Sequence, residues 1–455
     1  RSTLFPYTTL FRSPYRGFWA ATSIVVGSII GSGVFMKPAT MAAQLGSPVW
    51  LIAIWVITGL FSLFGALIYA EAGAMFPQTG GQYVYFRHMF GKFVAFLWGW
   101  GAFAVINTAA VAAIAFVCAQ YADSFLHMPE LVAAPDALKT VWHIPFLGNL
   151  YPLSNLSVKL LAIFLVFIIT LLNYLTLRGG SLLQLISTII KVGLIAALVF
   201  GILFSGNGNV ENFITPSIEP KTGWALMGGI VAALTGGFMA YDGWINLTFM
   251  CGELKDPQRN IVRSLITGVL VCICVYVLIN LAYLYVLPID KMAASPLVAY
   301  DAVGVAWGQT SSTIIAALVV ICTFGAVNGN AMASARVTYA MGRDHLFFAA
   351  AGREHPRFHT PGNSLWMHCI WASVLIISGS FDMLADIFTF ATWISYLLGG
   401  IGIFILRKKL PEQPRPYRVW GYPWVPILFI AFAGFYVFST TIWRSEERRV
   451  GKECR

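Results

Sequence analysis

The residues of this chain that could do chemistry lie where an apolar sequence should avoid them. Gly27-Ser-Ile-Ile-Gly-Ser-Gly-Val-Phe35 sits in the middle of the first long apolar run, and Gly236-Gly-Phe-Met-Ala-Tyr-Asp-Gly-Trp244 in the middle of the sixth. Glycine weakens helix, and Ser32 competes for backbone hydrogen bonds. A segment that opens there presents free amides at the positive end of the next half-helix. Such an end binds an anion, for example an amino acid carboxylate. Taken alone, the first motif reads first as close helix packing, since Gly27 and Gly31 form a small-xxx-small face. The second motif, with its glycines and Asp242, favours a site. Paired interruptions at matching places in two halves mark an inverted repeat with its ligand at the membrane midplane.

Lys191 lies mid-run in Ser187-Thr-Ile-Ile-Lys-Val-Gly-Leu194. A lysine at that depth is costly and faces a cavity or a partner. It is too far from either end of its run to snorkel, and it can tie the fifth run to the first and eighth. Asp242 has two readings: a carboxylate that attracts an amine in the cavity, or an N-cap of the lower half-helix. Glu71 fits a structural ion pair. Lys37 fits an ion pair or the entrance to a site. Asn328, beside Gly325 and Gly329, fits packing between helices, and Trp244 and Trp393 are candidate pocket walls. His88, His345, His355, His359 and His368 form no catalytic pattern. Without a nucleophile–base pair or a metal set at membrane depth, we expect no enzyme, no cofactor and no metal.

The elements that must position these residues follow from composition. The chain is 58% hydrophobic and 11% charged, against roughly 25% charged for a soluble domain. This predicts an all-α polytopic membrane protein in the bilayer. Apolar runs occupy 18–42, 49–75, 90–122, 156–177, 181–205, 224–250, 262–287, 311–342, 365–381, 384–406 and 424–443. Starting from a cytoplasmic N-terminus, fourteen Lys and Arg fall on inside loops, against Lys139, Lys159, Lys221 and Lys291 outside. That asymmetry supports this orientation and explains the net charge of +10 without a nucleic-acid partner. Cys118, Cys251, Cys272, Cys274, Cys322 and Cys369 lie in or beside apolar runs without metal spacing, which suits small packing residues. Residues 1–13 and 444–455 resemble translated sequencing-adapter read-through, which leaves 14–443 as one transmembrane unit. A twelfth helix is missing from this pattern.

The motifs together resemble the amino acid–polyamine–organocation superfamily, over about Phe18 to Trp443. Gly27–Phe35, Tyr69-Ala-Glu-Ala-Gly73 and Gly80-Gly-Gln-Tyr-Val-Tyr85 carry the superfamily likeness. Ala240–Trp244, Glu253-Leu-Lys-Asp-Pro-Gln-Arg-Asn260 and Phe324-Gly-Ala-Val-Asn-Gly329 are similar to the L-type transporters and the light subunits of heteromeric transporters. The resemblance implies a LeuT-like fold of two inverted five-helix repeats, about 18–205 and 224–406, with helices 1 and 6 discontinuous and helix 11 added. It implies sodium-independent exchange of amino acids by alternating access in the plasma membrane. Proton-coupled uptake of amino acids or polyamines is the first rival, and a channel or substrate-sensing receptor the second.

Residue by residue, Ser32 and Gly33 match positions whose amides hold the carboxylate. Ile29, Met239 and Asp242 match those whose carbonyls hold the ammonium. With Gly31, Ala240, Tyr241, Trp244 and Trp393, these make the candidate substrate site. Met239 stands where an aromatic gate is common. Asp242 matches a glycine in carriers of large neutral substrates and an aspartate in relatives that take dibasic ones. Neutral substrates are therefore expected, with cationic ones open. Lys191 matches the lysine that replaces sodium. The light subunits join a heavy chain through a cysteine in the loop after helix 3. The corresponding loop, Asp123–Asn155, has no cysteine, so no disulfide-linked partner is expected.

Overall fold

The computed structural model describes residues 17–133, 139–144, 148–217, 221–378 and 381–453. The leader read as foreign lies outside them. Ten helical stretches among the described residues are long and apolar enough to cross a bilayer. Ten of the eleven predicted runs supply them, and the run 365–381 forms a 17-residue helix, Gly362–Ser378.

In chain order the helices are α1 (Phe18–Ile29), α2 (Gly33–Leu45), α3 (Pro48–Met75), α4 (Gln82–Met89), α5 (Lys92–Gly101) and α6 (Asn107–Leu126). After the outer loop come α7 (Leu156–Leu175), α8 (Leu177–Leu203), α9 (Gly223–Tyr241), α10 (Asn246–Phe249) and α11 (Pro257–Val286). The remainder are α12 (Ile289–Ala294), α13 (Val298–Trp307), α14 (Gln309–Arg343), α15 (Gly362–Ser378), α16 (Phe381–Lys409) and α17 (Trp424–Glu453). The all-α expectation holds apart from one hairpin, β1 (Trp142–Ile144) paired antiparallel with β2 (Gly148–Leu150). The short helices α4, α12 and α13 were not expected from the apolar runs.

The first and sixth runs are each split, as their glycines predicted. α1 and α2 together, α5–α6 and α14 are the most deeply buried spans, and α17 the least. The first split helix therefore sits inside the bundle, and α3 and α11 pack closely together. α5 passes into α6 through a π-turn, Ala102–Ile106, which frees carbonyls that need other donors. α15 and α6 itself supply them: Trp371 Nε1 donates to the Ala104 carbonyl at 2.8 Å, and the Thr108 hydroxyl to Phe103 at 2.5 Å. His368 lies between Thr108, at 3.0 Å from Nδ1, and Thr338, at 2.7 Å from Nε2, joining α6, α15 and α14.

Several polar residues inside the bundle are partnered as packing elements. Asn328 donates to the Gly180 carbonyl and to Gln184 Oε1, both at 3.1 Å, and accepts from Asn173 at 2.7 Å. Glu71 carries the expected ion pair. Arg407 grips it with Nε at 2.9 Å and Nη2 at 2.6 Å, and the Val419 amide donates at 2.7 Å. Lys37 is buried on α2 and partnered. Cys272 is buried while Cys274 is exposed, as their spacing on a helix requires.

Candidate functional site

The first break starts with orphaned carbonyls. A helix leaves its last four C=O groups without intrahelical donors. α1 ends at Ile29, and Ile30 turns away with φ −71° and ψ 89°. Its amide still reaches Val26 O at 2.9 Å. The next carbonyls are met by side chains from elsewhere. Lys191 Nζ donates to Gly27 O at 2.9 Å and to Ile30 O at 2.8 Å, with the lysine fully buried. These are the acceptors that the broken helix released, and a cation at a helix C-terminus is favourable. The Cβ that Gly325 lacks would lie 3.6 Å from Lys191 Cε, so the lysine also touches α14.

The opposite face of the break holds donors. α2 begins at Gly33, and Ser32 O takes the Phe35 and Met36 amides at 3.1 and 3.0 Å. Among the described residues no backbone acceptor meets the amides of Gly31, Ser32 or Gly33. Among the described residues the buried Ser32 and Ser28 hydroxyls have no partners. One end of this gap is thus closed by an ammonium, and the other presents unpaired N–H groups.

In the second break α9 stops at Tyr241, and Asp242 is extended at φ −68° and ψ 155°. Gly243 follows at φ 113°, the left-handed region that glycine enters without strain. A side chain there would also meet the Ser28 carbonyl, with its Cβ 2.7 Å from the oxygen. On the other side, a Cβ on Gly33 would lie 2.5 Å from Ala240 Cα. The two breaks therefore touch backbone to backbone, and only glycine permits it. Tyr276 on α11 joins them: its hydroxyl lies 2.8 Å from Ile29 O and 2.9 Å from Ala240 O, sharing its proton between them.

Of the two readings of Asp242, the N-cap of the lower half-helix is not what the structure shows. α10 is preceded by Ile245 at its cap position, because the chain needs three residues to turn from α9. The carboxylate instead accepts the Tyr396 hydroxyl on Oδ1 at 2.6 Å. Trp244 packs against Tyr396, with ring centroids 4.8 Å apart, and against Tyr69 at 5.5 Å.

A sequence profile of the amino acid permease family matches residues 17–452. The chain belongs to this family. It lies within the amino acid–polyamine–organocation superfamily. The serine/threonine exchanger SteT of Bacillus subtilis is 29% identical over 94% of this chain and 91% of its own length. The b(0,+)-type amino acid transporter 1 of Mus musculus is 30% identical, over 94% and 82%. The large neutral amino acids transporter small subunit 2 of Homo sapiens is 29% identical, over 91% and 74%. Family and relatives are membrane transporters, not enzymes.

In this permease Ile29, Gly31, Ser32 and Gly33 lie at the first break and Met239, Ala240, Tyr241 and Asp242 at the second; Gly33 meets Ala240, and Lys191 reaches the first break. Three residues sit differently from a simple pocket lining. The Tyr241 ring leaves the break and covers Gly59 on α3, with Tyr276 4.8 Å away, centroid to centroid. The Met239 carbonyl already faces the Asp242 amide at 3.4 Å. The Trp393 ring lies tilted against Phe238, centroids 3.7 Å apart, within an aromatic cluster that includes Tyr436. The sequence reading missed Tyr276 and Tyr396. Each is a tyrosine in mid-run, where a buried hydroxyl needs a partner; that was the available signal.

Proposed function

We propose that the chain is a sodium-independent amino acid exchanger working by alternating access. The observation that carries this reading is Lys191 on the carbonyls of Gly27 and Ile30. An ammonium fixed to the protein supplies there the positive charge that a coupling cation would otherwise bring. The substrate carboxylate then takes the unpaired amides of Ser32 and Gly33, and its ammonium takes carbonyls around Ile29 and Asp242.

The split runs support two inverted five-helix repeats, about 18–205 and 224–406, within a transporter unit of 14–443. Transport proceeds by rocking α1–α3 and α9–α11 against the other spans. The charge asymmetry of the loops supports a cytoplasmic N-terminus in the plasma membrane. Exchange is the activity named for SteT, which makes small neutral amino acids the first substrates to try. Asp242, half-buried with no cation paired to it among the described residues, adds cationic side chains. A loop Asp123–Asn155 without cysteine supports a chain that works without a disulfide-linked partner.

The test is uptake by the purified chain in liposomes. Radiolabelled serine should enter only when amino acid is loaded inside, and replacing sodium with potassium should leave the rate unchanged. Uptake driven by an imposed pH gradient into empty vesicles would instead establish proton symport. In the same assay Asp242→Gly should weaken lysine and arginine more than serine. An equal loss for all three would remove the charge-selecting role.

A further inference from the structure

We infer that Tyr396 sets the balance between neutral and cationic substrates. This rests on the charge-selecting role of Asp242 proposed above. The carboxylates inside the bundle are not treated alike. Glu71 and Glu253 are fully buried, and each has a guanidinium: Arg407 at 2.6 Å and Arg336 at 2.5 Å. Asp242 stands at the break with no such partner among the described residues. Its side-chain donor is the neutral hydroxyl of Tyr396, at 2.6 Å. A charge inside a protein needs a counter-charge or strong hydrogen bonds. One short O–H donor to an ionised oxygen is such a bond.

The hydroxyl therefore serves the carboxylate when the substrate brings no charge. A lysine or arginine side chain supplies the missing cation itself and depends less on the tyrosine. The ring cannot easily turn away. It lies 4.8 Å from Trp244, 6.0 Å from Tyr69 and 5.7 Å from Trp393, centroid to centroid. Tyr69 is itself fixed, accepting Gln82 Nε2 at 2.6 Å and lying 3.2 Å from the Ser395 carbonyl. Tyr396→Phe thus keeps the packing and removes the donor alone.

The experiment measures competition by serine and by lysine against labelled exchange in liposomes, for wild type, Y396F, D242N and the double variant. In Y396F the apparent affinity for serine should fall by about 10- to 100-fold, the usual loss for a hydrogen bond to a charged group. Lysine should change by less than about threefold, so the ratio moves toward the cation. With D242N the carboxylate charge is gone, and adding Y396F should leave the ratio where D242N alone puts it. Equal losses for serine and lysine in Y396F would overturn the inference. So would a ratio that moves as far in the double variant as in Y396F. If D242N itself leaves the lysine-to-serine ratio unchanged, the charge role of Asp242 fails first. If D242N lowers that ratio and Y396F does not raise it, only the tyrosine's role fails. Should Y396F not fold, Tyr396→Met fills the space without a donor and carries the same expectation. Thermal shift of the purified protein by serine and by lysine reads the ratio where transport is lost.

Discussion

The two helix breaks differ in what fills them. In the first, the chemistry is backbone: released carbonyls taken by Lys191 and Tyr276, and unpaired amides across the gap. In the second, it is a side chain, the carboxylate of Asp242 with a tyrosine on it. Every amino acid shares a carboxylate and an ammonium, whereas side chains differ. Backbone groups suit the shared part, because they hold it at a fixed geometry and add no specificity of their own. A side chain suits the variable part, because one substitution can retune it. On the proposed function the first break is the general grip, and the second the selector.

The contact between the breaks should be the least tolerant feature. Gly33→Ala would drive a Cβ to 2.5 Å from Ala240 Cα, and backbone cannot step aside as a flexible side chain can. Overpacking of this kind costs about 1–3 kcal/mol or more. We expect exchange of neutral and cationic substrates alike to fall by roughly 100-fold. Normal uptake by G33A, measured at matched protein level, would mean that the breaks are not in contact during transport.

Lys191→Ala comes next. It removes two charge-assisted hydrogen bonds from α1, each worth about 1.5–3 kcal/mol. Exchange should drop by about 10- to 100-fold while the protein still elutes as a folded species. Wild-type rates would end the role of the ammonium in closing the first break. Tyr276→Phe should be milder, since one shared hydroxyl is lost: about tenfold in apparent affinity. The loss should be the same for serine and lysine, because Tyr276 holds backbone carbonyls, Ile29 O and Ala240 O, and not the Asp242 carboxylate. A change in their ratio would place Tyr276 in the selector and blur the distinction drawn above.

Much of this architecture was legible before any coordinates. The breaks announced themselves because glycine pairs and an aspartate contradict the rule that a spanning helix satisfies its own backbone. Lys191 was legible for the same reason. What joins the breaks was not. Tyr276 meets Ile29 across 247 residues and Tyr396 meets Asp242 across 154. A tyrosine in an apolar run is ordinary, and no local pattern says where its hydroxyl goes. The capping role considered for Asp242 failed because the chain turns over three residues before α10. The π-turn was also hidden, since Ala102–Ile106 has a composition that suits any buried helix.

The smallest expected effect separates backbone from side chain within the first break itself. The Ser32 hydroxyl is buried and unpartnered, and the amide of the same residue meets no backbone acceptor. If the amide holds the carboxylate, the hydroxyl is dispensable. Removing an unsatisfied buried polar group relieves a desolvation cost of about 1–3 kcal/mol. Ser32→Ala should then keep exchange within about threefold of wild type and should not lower the melting temperature. A loss above about tenfold, with folding intact, would mean that the hydroxyl itself is on the carboxylate. The first break would then select through a side chain as the second does. The difference between them would be one of degree, with Ser32 and Asp242 as counterparts facing the two ends of the same substrate.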